Sequence, residues 1–339
     1  MNSSPYVFAT PSVRDIMLKV LLALLPGLLV YVWVYGGGIL LSTLIAVVSA
    51  LIFEAGVLKL RARPMMPALT DFSAVLTAVL LALALPPLAP WWLIVVGVFF
   101  AIVIAKQLYG GLGYNPFNPA MVGYAVLLIS FPTLMTSWSA PLSIAKMPLD
   151  WLAQWQVILD GHLQGHLGFD AITSATPLDY VKTELKLHHN IHNIQHANIF
   201  GKVAGKGAEW VALAYTFGGI YLLRERIISW HLPVAFLGAL GTMAALLHGL
   251  DADVFSSASF HLLSGGTMLG AFFIVTDPVS GPTTPRGKLY FAVGVGFLTY
   301  VIRVWGGYPD GVAFAVLLMN MCVPMIDAHT QPRVFGHPK

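Results

Sequence analysis

Cysteine is almost absent from these 339 residues, Cys322 being the only one. A single thiol excludes a disulfide framework. It also excludes an iron–sulfur cluster held by this chain alone, since such clusters take about four thiolates. Charge is nearly as scarce: Asp, Glu, Lys and Arg make up 10% of the chain, against about 25% in a soluble domain. So few ionic groups cannot cover a water-soluble globule of this length. The net charge of +3 is too small to argue for nucleic acid as a partner. The opening MNSSPYVFATPSVRD has no basic n-region and no small-residue cleavage site, so the first apolar run reads as a true span.

What is present in quantity is apolar. Hydrophobic residues make up 57% of the chain and the mean hydropathy is +0.77. Runs near the roughly 20 residues needed to cross a hydrocarbon core recur throughout. The sequence predicts an all-α integral membrane protein of about ten transmembrane helices. Five lie near Ile16–Tyr35, Ile39–Leu58, Phe72–Leu85, Trp91–Leu108 and Pro119–Met135. Five more lie near Trp210–Leu223, Leu232–Leu250, Phe260–Thr276, Leu289–Val304 and Gly311–Ile326. The third, sixth and eighth are short for a straight span and read as less tilted, or as broken and buried. Three regions follow: a first membrane repeat over 1–135, a polar loop over 136–209, and a second repeat over 210–339.

Basic residues set the orientation. Arg14, Lys19, Lys59, Arg61, Arg63, Lys106, Arg224, Arg226, Arg286, Lys288, Arg333 and Lys339 fall on one face if both termini are cytoplasmic. Arg303, near a span boundary, is the ambiguous case. The opposite short turns are nearly free of basic residues, so the long loop is expected in the periplasm, with the chain in a bacterial inner membrane. The halves also look related. Pro86 and Pro282, Gly110 and Gly306, and Gly111 and Gly307 are each 196 positions apart. Three coincidences leave chance open. With five spans per half, a real repeat is an inverted one, as in many transport folds.

The most informative stretch of the loop is Asp170-Ala171-Ile172-Thr173-Ser174-Ala175-Thr176-Pro177-Leu178-Asp179. On its residues alone it reads as an exposed turn whose hydroxyls cap backbone groups. A threonine between alanine and proline is also sterically open to a modifying enzyme. Asn115 and Asn118 lie in the proline-rich Gly113–Ala120 segment, which reads as a loop with a proline-started helix or as irregular backbone around a buried polar site. Thr276 and Asp277 open a similar segment, Thr276–Thr284. Glu54 and Asp327 lie in or beside apolar runs, where acids are costly; the bland reading is an interfacial carboxylate with Lys59 or Arg333 as neighbour. His188, His192 and His196 would share one face of a helix, but Asn190, Asn193 and Asn198 argue against that helix. No metal site is expected there.

Gly113–Ala120, the Asp170–Leu178 stretch, Thr276–Pro282 and the Ile326-Asp327 ending together resemble the RnfD family of Rnf complexes. Its members are related to the B component of the sodium-pumping NADH:quinone oxidoreductase. The resemblance covers essentially the whole chain. It implies FMN joined through its phosphate to Thr176 by a periplasmic flavin transferase, with Asp170, Thr173, Ser174 and Ala175 as the attachment motif. Ser174 stands where that signal often has glycine. It further implies a non-covalent riboflavin, for which Asn115, Asn118, Thr276 and Asp277 are candidates, and an ion pathway that includes Glu54 and Asp327. It implies a urea-channel-like architecture, and partners in the other Rnf subunits, RnfA, RnfB, RnfC, RnfE and RnfG. The implied function is electron relay between ferredoxin and NAD coupled to Na⁺ or H⁺ movement, with the reaction carried by the complex and no catalytic residue in this chain. The residues alone also admit a channel or secondary transporter without a redox role, or a structural scaffold.

Overall fold

The computed structural model describes residues 12–161 and 172–332. Asp170, Arg333 and Lys339 lie outside the described residues. Helix forms at each apolar run, as it must where hydrocarbon offers backbone groups no other partner. In the first half, α1 is Val13–Tyr35, α2 Gly38–Leu60, α3 Met65–Leu69, α4 Ser73–Ala84, α5 Trp91–Phe99 and α6 Pro119–Ser130. α5 continues without a break as a π-helical segment, Phe100–Gln107. A short α7, Pro132–Thr136, follows α6. Six helical stretches are long and apolar enough to cross a membrane: Val13–Tyr35, Gly38–Leu60, Met65–Ala84, His231–Leu250, Pro285–Trp305 and Val312–Thr330. Trp91–Gln107 and Pro119–Ser130 are apolar but shorter.

Local chemistry sets the ends. Ser12 and Asp15 form a reciprocal capping box at the start of α1, with Ser12 Oγ accepting from the Asp15 amide at 3.1 Å. Gly36, at φ 99°, turns the chain into α2. The fifth apolar run, expected to continue to Met135, is interrupted where Pro132 removes an amide donor.

The loop region is more folded than its composition suggests. The two-residue strands β1 (Trp138–Ser139) and β2 (Thr173–Ser174) pair antiparallel, Trp138 opposite Ser174. Around them lie α8 (Trp151–Asp160), α9 (Pro177–Lys186) and α10 (Ile191–Ile194). Leu178, Val181, Ile191, Ile194 and Ala204 bury together against Phe260. As the asparagines imply, His188, His192 and His196 do not share a helix face: α9 ends at Lys186 and His188 is left-handed at φ 64°. Among the described residues no group of three or more His, Cys, Asp or Glu side chains converges as a metal site.

The second half holds α11 (Ala208–Arg224), α12 (His231–Leu250), α13 (Ala258–Leu263), α14 (Thr267–Leu269), α15 (Pro285–Trp305) and α16 (Val312–Thr330). α14 runs on into a second π-helical segment, Gly270–Ile274. α1 packs along α11 and α6 against α16. Within each half, α2 lies on α4 and α5, while α12 lies on α13 and α15. The α1–α11 crossing is close: a Cβ at Gly218 would overlap the Ala23 carbonyl oxygen, and one at Gly27 the Tyr215 ring. One end of the bundle carries the folded loop (the loop end). The other carries the start of α1 and the end of α16 (the terminal end).

Candidate functional site

Two cavities lie between the halves, one toward each end. The loop-end cavity, of about 160 Å³, is lined by Thr176 with Tyr31 and Tyr35 of α1, Tyr124 of α6, Tyr215 of α11, and Asp310 before α16. Met121, Met135, Trp138 and Met268 add apolar surface. Tyr31 and Tyr215 are each 4% exposed, yet their hydroxyls have no hydrogen-bond partner. Buried polar groups are nearly always paired, so two orphaned phenols in one cavity leave hydrogen-bonding positions there for a ligand or water. Space of this order, roughly the 150 Å³ that admits a benzene ring, lets a flat aromatic ring enter.

Thr176 is half-buried and is the N-cap of α9, its hydroxyl accepting from the Asp179 amide at 3.2 Å. Pro177 at the first helical position fixes the entry angle. Behind Thr176, the β1–β2 pairing holds Thr173 and Ser174 beside Trp138 and Ser139. α9 is fastened to the bundle by Lys182, whose ammonium donates to the carbonyls of Ile302, Arg303 and Tyr308 at 3.4, 3.1 and 2.9 Å. Burial, aided by nearby Lys186 and opposed by Asp179, holds the Lys182 ammonium below the ordinary lysine value.

The far wall is a broken helix. Between α13 and α14 the chain turns through Gly265 at φ 60°, which frees carbonyls that hydrocarbon could not solvate. Arg303 meets them, donating to His261 O at 2.7 Å, Ser264 O at 3.3 Å and Thr267 Oγ1 at 2.8 Å. Asp310 closes the network, accepting from Arg303 at 3.0 Å and from the Gly266 amide at 2.7 Å. Arg303, ambiguous as an orientation marker, is therefore no surface charge at all: it is 4% exposed.

The terminal-end cavity, of about 110 Å³, brings together all four residues singled out for a second ligand: Asn115, Asn118, Thr276 and Asp277 line it with Ser73, Lys106 and Phe273. Asn118 caps α6, accepting from Met121 N at 3.2 Å, and its amide reaches Ile274 O at 3.4 Å. Asn320 of α16 accepts from the Asn118 amide N–H at 3.2 Å and donates to Ser280 O at 2.9 Å. Asp277 folds the turn after the second π-helical segment, accepting from Ser280 Oγ at 2.7 Å and Val279 N at 3.1 Å. Asn115 donates to Phe117 O; Thr276 donates to Phe272 O. The cavities stack with a thin partition: Met121 and Ile274 face the loop-end cavity, their neighbours Ala120 and Phe273 the other. Tyr215 and Phe273 touch across it edge to face, ring centroids 6.1 Å apart.

Glu54 and Asp327 are not brought together. Glu54 is fully buried, and its partner among the described residues is not Lys59. Lys106 donates to Glu54 Oε1 at 2.6 Å and to Ser73 Oγ at 2.7 Å, while Gln107 Nε2 donates to the same Glu54 oxygen at 2.7 Å. Lys106, expected to mark a membrane face, is 2% exposed. Asp327 stays partly exposed near the end of α16, accepting from the Thr283 amide at 3.1 Å. This contact holds that loop against the helix.

The sequence matches the NQR2, RnfD, RnfE family over residues 1–336. The chain belongs to that family. Among curated members, the D subunit of the ion-translocating oxidoreductase complex of Yersinia pseudotuberculosis serotype O:1b is 52% identical over 342 residues, spanning 99% of this chain and 97% of its own. The protein of the same name from Salmonella typhimurium is 51% identical over 345 residues, covering 99% and 98%. That of Aliivibrio salmonicida is 51% identical over 346 residues, covering 100% and 99%. Family membership was legible in the loop motif and the two proline-rich segments. The orphaned tyrosines, Arg303, Asp310 and the Lys106 partner of Glu54 were not. Only the position of Lys106 at the end of an apolar run hinted at it.

Proposed function

We propose that this chain is the membrane-embedded, flavin-carrying D subunit of an ion-translocating oxidoreductase complex in a bacterial inner membrane, relaying electrons between ferredoxin and NAD with coupled Na⁺ or H⁺ movement. The observation that carries this reading is the stack of two ligand cavities, the attachment-motif threonine lining the first and the four polar candidates converging on the second. FMN esterified to Thr176, and riboflavin held without a bond, would supply the electron-carrying ring systems. The chain's own residues do the rest. Thr176 anchors a phosphate at the N-terminus of α9, where free amides and the helix dipole favour an anion. The tyrosine hydroxyls offer the directional contacts of an otherwise apolar wall. Asn115, Asn118, Thr276 and Asp277 bring polar groups to the inner cavity.

The packing supports two inverted five-helix repeats, 1–135 and 210–339, around a periplasmic segment 136–209. Shifting the first half by 196 positions brings α1, α2, α4, α5 and α6 onto α11, α12, the α13–π segment, α15 and α16. Contacts pair accordingly: α2 with α5 matches α12 with α15, while α1–α11 and α6–α16 are self-paired. Ten spans follow if the short helices cross within the bundle, where neighbouring protein supports them. Partners would be the other Rnf subunits and, for maturation, a flavin transferase.

The test is intact mass and in-gel fluorescence of the wild type, Thr176→Ala and Thr176→Ser, each co-expressed with a flavin transferase. An added FMN mass and yellow-green fluorescence are expected in the wild type and absent from Thr176→Ala. Thr176→Ala also loses the cap of α9, about 1 kcal/mol, whereas Thr176→Ser keeps it, which separates lost modification from lost folding. An unmodified wild type in cells that flavinylate other targets would overturn the redox reading and favour a channel of the same fold.

A further inference from the structure

The Glu54 carboxylate lies fully buried in α2 with one oxygen, Oε2, lacking any partner. Gln107 Oε1 beside it is likewise unpaired. Two bare oxygens next to a buried carboxylate form the beginnings of a site for a hard monovalent cation. The cation already there belongs to the chain: the Lys106 ammonium, 2.6 Å from Glu54 Oε1. With Lys106 in place the pair is neutral. A second positive charge beside it would be repelled at the low dielectric of a buried site.

Lys106 also has a second neighbourhood. It sits at the end of a π-helical segment, a geometry that recurs at functional sites, and it lines the terminal-end cavity on which Asp277 and Asn115 also open. Among the described residues Lys106 is thus the one ammonium that borders both that cavity and Glu54. We propose that Lys106 is a tethered cation shared between the two: it fills the Glu54 site against Na⁺ while the cavity is neutral, and frees that site when negative charge arrives in the cavity.

The charge balance is one for one. An electron delivered to the cavity by the donor of the oxidoreductase complex adds one negative charge. The ammonium turns toward it and leaves Glu54 with one uncompensated negative charge. One Na⁺ then restores neutrality there. This step rests on the reading that the terminal-end cavity holds an electron carrier. The occupancy of Glu54 by Lys106 does not.

The experiment measures melting temperature of the purified complex, at mildly alkaline pH, in sodium chloride against choline chloride at equal ionic strength. Oxidised wild type is expected to melt at the same temperature in both salts. Lys106→Met is expected to melt higher in sodium, and Glu54→Gln/Lys106→Met to lose that difference. A sodium response of oxidised wild type that disappears in Glu54→Gln would overturn the proposal. So would a Lys106→Met protein that melts cooperatively with no sodium response. Should Lys106→Met fail to assemble, the wild type reduced with dithionite provides the second measurement: reduction is expected to create a sodium response, and none would overturn the shared-cation role. Non-covalent flavin released by denaturation is assayed on the same samples. Its absence would remove the electron-carrier reading of the cavity, while the Lys106→Met comparison would still decide whether Lys106 fills Glu54.

Discussion

The loop-end cavity is walled by Tyr31, Tyr35, Tyr124, Tyr215 and three methionines, and its charged border is Asp179 beside Thr176 and Asp310, the latter already engaged by Arg303 and Gly266. The terminal-end cavity has Lys106, Asp277, Asn115 and Asn118 within a smaller space. An apolar wall gives a flat ligand little directional grip, and a bond to Thr176 would hold there what hydrogen bonds could not. A polar wall can retain a ligand unaided, and it can also answer a change in the ligand's charge. On the proposed reading the two ends divide the work: the loop end anchors, and the terminal end responds electrostatically.

The largest effect should come from the ionic side of that contrast. Lys106→Met leaves Glu54 buried without its cation, at a cost of about 3–5 kcal/mol. The double change Glu54→Gln/Lys106→Met should recover most of that loss, because neither buried charge remains. A double-mutant cycle of unfolding in detergent measures the coupling. A single variant no less stable than wild type would mean that the pair is solvated and that the two cavities differ less than their linings suggest.

Next in size is the fastening of the loop end. Lys182→Met removes the donor to the carbonyls of Ile302, Arg303 and Tyr308, each part of the C-terminal end of α15 or the turn after it. Hydrogen bonds from a charged donor are worth about 1.5–3 kcal/mol, and Lys182 is only partly buried, so about 2 kcal/mol is expected. Amide hydrogen exchange should show the loss confined to α9 and the Tyr308 turn. Protection lost equally around Glu54 would mean that the two ends unfold as one unit, not as separate parts.

How much of this was legible in the sequence follows the same division. Apolar period and length located the apolar helices of the bundle, because hydrocarbon permits the backbone little else. Asn115, Asn118, Thr276 and Asp277 were legible as a set because proline and glycine concentrate where a helix must end at a polar site. Pairings across the bundle were not legible. Glu54 and Lys106 are 52 positions apart, and each taken alone resembles a charge at a membrane boundary. Arg303 looked like a boundary charge until the break at Gly265 gave its guanidinium carbonyls to meet. The loop's folded cap was missed because its apolar residues, such as Leu178, Val181 and Ile191, are spread thinly among histidines and asparagines and show no period.

The smallest effect is the most discriminating. Tyr215→Phe removes a hydroxyl that has no partner among the described residues, so it costs no hydrogen bond to them. In the Thr176→Ala background, where no flavin is attached, the change should leave stability within about 0.5 kcal/mol. In flavinylated protein the same change should shift the flavin absorption bands, because a donor to the ring would be lost. Tyr300→Phe is the control: its hydroxyl is also buried and unpaired, but Tyr300 does not line the cavity and stacks instead near His261 and Trp305. A spectral shift in Tyr215→Phe and none in Tyr300→Phe would assign the orphaned phenol to the ligand. Equal, null spectra would leave the loop-end cavity an apolar sleeve whose only hold on its ligand is Thr176.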